Sequence, residues 1–183
     1  MYFMIGSIII ISLIGTLSHF MYDISKHNKI IGLFCAVNES TWEHIKIALT
    51  PTLLWSFIDG IIYGRNPNYF FSKFSSLAII ILLIPLLFYG YKAILKKEIF
   101  ILDISIFYIV IITSQYLFFY TLRINEINFI FKYLSCIGTF MIFGGYMIHT
   151  LMPAKNIIFK DPISKKYGFK GHTEILHKKN ANN

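Results

Sequence analysis

Charge is scarce in this chain. Asp and Glu together number 9 in 183 residues, and charged residues of all kinds make up 14%, against roughly 25% in a soluble domain. That deficit excludes an ordinary water-soluble fold and leaves an integral membrane protein. Cysteine is nearly absent as well. Cys35 and Cys136 lie 101 residues apart with no C-x-x-C pair, which excludes a disulfide framework and a thiolate zinc knuckle, and leaves two small apolar fillers. There is no H-E-x-x-H and no nucleophile elbow, so no common hydrolase signature is present. Residues 1–22 contain no Lys or Arg and are followed by no A-x-A-like site; a retained first span is expected rather than a cleaved signal.

What is present is apolar and aromatic. Hydrophobic residues reach 56%, aromatics 17%, and the mean hydropathy is +0.62. A helix crossing a bilayer needs ~20 mostly apolar residues. Five stretches meet that length: 1–22, 41–63, 74–91, 99–122 and 127–152. The expected fold is all-α, a polytopic transmembrane helical bundle. Residues 30–37 are apolar but too few to span, and are expected to form a short interfacial or re-entrant segment. The bundle would occupy residues 1–152, and residues 153–183 would form a basic cytoplasmic tail.

The net charge of +8 follows this topology. With five spans, thirteen Lys residues flank one side and four Lys or Arg residues the other. The positive-inside rule then puts the N-terminus outside and the C-terminus in the cytoplasm of a cell membrane. A Lys-rich tail beside a membrane is drawn to anionic headgroups by ~1 kcal/mol per basic residue. The expected partner is the lipid bilayer. The pI of about 9.4 does not imply nucleic-acid binding, because the cations are juxtamembrane and no recognition motif accompanies them.

One short stretch breaks the apolar pattern: Asn38-Glu39-Ser40-Thr41-Trp42-Glu43-His44. Part of it reads as a helix start. Ser40 and Glu43 fit a capping box, in which Ser40 accepts from the amide of Glu43 and Glu43 reaches back to the amide of Ser40. Both Glu39 and Glu43 suit the positive end of a helix dipole. Trp42 would anchor at headgroup level. Asn38 and His44 are left over.

Chain connectivity gives those residues company. The first span ends at His19 and Asp23, the second starts at Glu43 and His44, the fourth starts near Asp103 and the fifth ends near His149. In a five-span chain these four ends meet at one membrane face. The candidate polar site is therefore His19, Asp23, Asn38, Glu39, Ser40, Glu43, His44, Asp103 and His149, with Asp59 at the opposite face. Ionisable residues within spans are costly and mark functional sites by default. A small polar solute or ion is the expected ligand, bound or transported. No cofactor is implied; a divalent metal held by a set drawn from His19, Asp23, Glu43, His44 and Asp103 is the alternative, as part of an intramembrane enzyme. A non-catalytic accessory subunit is the third reading.

The arrangement Ser40-x-x-x-His44, with Asp59 and His149, resembles in part the seven-span zinc hydrolases of the ceramidase and adiponectin-receptor kind. Its spacing argues against a shared metal site. Asp59 follows His44 by 15 residues, about 22 Å along one helix at 1.5 Å per residue. The chain also has too few spans and no late His-x-x-x-His.

The string "NESTWEHIK" at Asn38–Lys46, with "GTLSHFMYD", "LDIS" and "FKDPISKKYGF" elsewhere, resembles a family of small multi-pass bacterial membrane proteins described as a domain of unknown function. The resemblance runs nearly end to end. In that family Asp59 is replaced by another acidic residue, and the exit of the last span carries two prolines where this chain has Pro153 alone. The resemblance implies a shared polar site and no particular activity.

Overall fold

A computed structural model of the chain describes residues 1–172. Helices α1 (Tyr2–Ile24), α2 (Lys29–Phe34), α3 (Thr41–Tyr63), α4 (Tyr69–Leu95), α5 (Phe100–Thr121) and α6 (Phe129–Leu151) follow one another. No strand is present among the described residues; only an isolated bridge joins Lys160 and Tyr167. All but α2 are long and apolar enough to cross a membrane. The outward face of α1 carries Ile9, Leu13 and Leu17 at 58, 59 and 55% exposure, a stripe at i, i+4, i+8 that would be a liability in water and suits lipid.

The central element is α3, in which 13 of 23 residues are buried. Pro51 lies inside it and has no N–H to give the carbonyl of Ile47. That carbonyl faces Gly15 of α1, where an added Cβ would come within 2.6 Å of it. The missing side chain lets the two backbones approach, the usual role of small residues between membrane helices. Across α4 and α5 the hydroxyls of Ser76 and Ser114 are 2.8 Å apart, a second close polar contact between apolar helices.

α4 begins at Tyr69, five residues before the apolar run that marks it in the sequence. The extra turns contain Lys73, which is buried because its ammonium donates to Asp59 of α3 at 2.5 Å. Tyr69 donates its hydroxyl to the other oxygen of Asp59 at 2.8 Å. A neutralised pair lets the helix carry charge into the protein.

α2 sits across one end of the bundle and solves a backbone problem. The last carbonyls of a helix have no intrahelical partner. Here Lys46 Nζ donates to Gly32 O at 2.9 Å, Tyr146 Oη to Leu33 O at 2.8 Å, and Thr50 Oγ1 to Phe34 O at 2.9 Å. Two of these donors come from α3 and one from α6.

The segment after α6 packs against the helices as far as it is described. Residues 153–172 fold back over the same bundle end. Phe159 and Asp161 are buried, and the carboxylate of Asp161 accepts from the amides of Glu39, Ile163 and Ser164. Lys178 and Lys179, counted in the basic tail, lie outside the described residues.

Candidate functional site

The bundle end capped by α2 and residues 153–172 holds the polar residues singled out in the sequence, in separate groups. His19 and His44 approach the same carboxylate. Glu39 Oε1 is 3.8 Å from His19 Nε2, and Glu39 Oε2 is 3.9 Å from His44 Nε2. The imidazole centroids are 6.0 Å apart. These separations exceed hydrogen-bonding distance, so three acid–base groups face one another without bonding directly. His19 Nδ1 is enclosed and has no hydrogen-bond partner. His44 Nδ1 contacts Ser40 O at 3.0 Å, which fixes the ring and leaves Nε2 for Glu39. Glu39 itself is placed by Asp161, which receives its amide N–H.

Glu39 also lines an open cleft of about 300 Å³ between α4 and the C-terminal segment. Thr41, Tyr89, Lys92, Lys160 and Lys165 share its walls, with Phe88 and Ile157 as an apolar side. His44 and Asp103 line a second space with Thr41, of about 20 Å³, which is the size of one water. Asp103 is tied to Tyr91, whose hydroxyl donates to it at 2.5 Å.

Asp23 belongs to another group. Its Oδ1 is 3.3 Å from His27 Nε2 and 3.0 Å from His172 Nε2. Burial pushes the His172 imidazole below the ordinary histidine range, and Asp23 partly restores it.

Several expectations are corrected. Ser40 is the N-cap residue of α3, but its side chain makes no capping bond, so the capping box does not form. The Asn38 carbonyl oxygen instead accepts from the Ser40 amide at 2.8 Å, while its amide donates to Gly168 O at 2.9 Å. Asn38 thereby joins the start of α3 to the C-terminal segment. Glu43 turns inward: it accepts from Val37 N at 3.1 Å and pairs with Lys46 at 2.6 Å. Trp42 does not project from the bundle end. It is buried between His149 and Phe159, with ring centroids at 5.5 and 4.8 Å. His149 stacks on Phe159 as well and contacts Gly145 O, apart from the other imidazoles. Of the residues from which a metal set could be drawn, His19 and His44 face each other across Glu39, while Asp23, Glu43 and Asp103 are engaged by His27, Lys46 and Tyr91. Asp59 sits at the far end of α3 with Lys73, as its distance along the helix requires.

Sequence reasoning did not single out Lys46 as a partner, nor Thr50, Tyr146, Asp161, His27 or His172. The i,i+4 spacing of Asp23 and His27 was readable. Nothing in the sequence brings His172 to Asp23, since that contact depends on how the C-terminal segment folds back.

No curated protein and no solved structure matches the chain. A family does, along almost all of the described length. The Asn38–His44 string, the His19–Asp23 helix end and the Asp161 turn all fall inside residues 1–169, and over that span the chain belongs to a family of unknown function, DUF6512.

Proposed function

We propose that this is a multi-pass protein of the cell membrane, with its N-terminus outside, that binds a small polar solute or ion at the His19–Glu39–His44 group from the cytoplasmic side. One observation carries the reading. Two imidazoles and a carboxylate from three segments point at one another at 3.8–3.9 Å, too far to satisfy each other and close enough to hold something between them. Unused hydrogen-bonding capacity in a partly enclosed place favours a ligand that supplies it. The cleft at Glu39 provides the way in, and its lysines balance its carboxylates.

The test is a thermal-shift panel of small polar solutes and cations on the purified protein. The expected result is a stabilising ligand whose affinity falls at least tenfold in Glu39→Gln and His44→Ala, with His149→Ala unaffected. A panel with no stabilising ligand, or one equally strong in Glu39→Gln, removes the reading. Orientation is tested separately with single cysteines on a background lacking Cys35 and Cys136. Asn156→Cys should be labelled only by reagent that reaches the cytoplasm, and Arg65→Cys only from outside.

A further inference from the structure

We infer that Asp23, His27 and His172 form a binding site for one divalent transition-metal ion, zinc-like in its ligand preference, which fastens the C-terminal segment to the end of α1. This site is distinct from the His19–Glu39–His44 group and does not depend on its function.

Both histidine donors lie about as far from the Asp23 oxygen as two ligands of one ion lie from each other. Asp23 Oδ1 is 3.3 Å from His27 Nε2 and 3.0 Å from His172 Nε2, and the three ligand atoms lie within 4.8 Å of one another. Ligands bound tetrahedrally at 2.0–2.1 Å are separated by about 3.3–3.4 Å. Two imidazole nitrogens and one carboxylate oxygen are a donor set for borderline ions such as Zn²⁺ or Co²⁺, and too nitrogen-rich for Ca²⁺ or Mg²⁺.

The backbone and the surroundings support the same assignment. Lys26 and His27 are successive non-glycine residues at φ 55° and 64°, a conformation that costs each of them energy. That turn brings the His27 ring back over α1, with its centroid 4.4 Å from that of His172 and 5.3 Å from that of Tyr22. His172 is held edge-on against Tyr22, with ring centroids 4.9 Å apart. Its Nε2 is enclosed and has no hydrogen bond of good geometry, although Asp23 Oδ1 is near. A proton on each histidine would give two ion pairs to one carboxylate; a metal ion satisfies all three groups at once with neutral rings.

The consequence is a clamp between distant parts of the chain. Residues 153–172 hold Glu39 through Asp161 and Asn38 through the carbonyl of Gly168. Fixing His172 to α1 closes that segment over the bundle end.

The experiment uses the full-length chain, untagged, stripped with chelator and titrated with Zn²⁺ against a chromophoric competitor, with Co²⁺ absorption as a second probe. One equivalent should bind, and the Co²⁺ bands should have the intensity of a four- or five-coordinate site. His172→Ala, His27→Ala and Asp23→Asn should each weaken binding at least tenfold, and His149→Ala should leave it unchanged. Zn²⁺ should also slow tryptic cleavage within residues 155–172 in the wild type and not in His172→Ala. Gel filtration of each variant establishes that it is folded, and the conservative His172→Gln supplies a second removal of the ligand. Absence of stoichiometric zinc overturns the inference. So does zinc that survives His172→Ala and His172→Gln, or zinc lost in His44→Ala and retained in His172→Ala.

Discussion

Glu43 and Lys46, one turn apart on α3, form a 2.6 Å ion pair that is sealed from solvent. Each also holds the chain around α2, Glu43 through the Val37 amide and Lys46 through the Gly32 carbonyl. Charge that looked like part of a surface patch is thus a joint inside the protein.

Breaking that joint from one side should be worse than removing it. Lys46→Met leaves a buried carboxylate without its cation and should cost ~3–5 kcal/mol. The double variant Glu43→Gln, Lys46→Met should recover much of that loss. Thermal unfolding in detergent measures both; equal losses would show that shape rather than charge is at stake.

Tyr146 serves the same segment from α6. Its hydroxyl donates to Leu33 O and lies 2.7 Å from that of Thr50. Tyr146→Phe keeps the ring and deletes the donor, at an expected cost of about 1–3 kcal/mol. Amide exchange across residues 30–37 should quicken in this variant, while the α4–α5 contact should not change.

Two glycines provide a paired test of helix approach. A Cβ at Gly15 would meet Ile47 O and the Phe107 ring at 2.6 Å, while one at Gly144 would meet nothing within 4 Å. Gly15→Ala should therefore destabilise by ~1–3 kcal/mol through overpacking. Gly144→Ala should be neutral or slightly stabilising, as expected for an unhindered helical position. Comparable melting shifts in the two variants would contradict the close α1–α3 contact.

Cys35 gives a pH signature. Burial pushes its thiol upward, with Lys46 opposing and Glu43 adding to the rise. The thiolate is the reactive form, so alkylation in a Cys136→Ser background should be slower at neutral pH than for a free cysteine. It should climb with pH to a midpoint above that of a free thiol. Denaturing the protein should return the midpoint to the ordinary value.

The sequence carried the architecture because lipid imposes a length and a hydropathy that can be counted. The second span, residues 41–63, coincides with α3. The third, residues 74–91, lies within the longer α4 (Tyr69–Leu95), whose first turns hold Lys73, a charge that its pairing with Asp59 makes compatible with a buried helix. Connectivity was enough to gather His19, Glu39 and His44 at one end. It could not say that Glu43 faces inward, which depends on the Val37 amide and Lys46 turning to meet it, or that Trp42 lies beneath Phe159, which depends on a segment more than a hundred residues away. The packing of residues 153–172 was hidden for the same reason: composition reports charge, while Phe159 and Asp161, which bury, are a small minority of that segment.

The capping of α2 has a consequence for the order of assembly. Its three terminal carbonyls take donors from Lys46, Thr50 and Tyr146, and Tyr146 is made 100 residues after Lys46 and 96 after Thr50. During synthesis, α1, α2 and α3 can therefore reach the membrane with that end of the molecule still unlatched, and the last span closes it. Nascent chains halted before Tyr146 should remain open to protease at residues 30–37, and chains released after it should resist. If the two are equally resistant, α1–α3 complete this region by themselves.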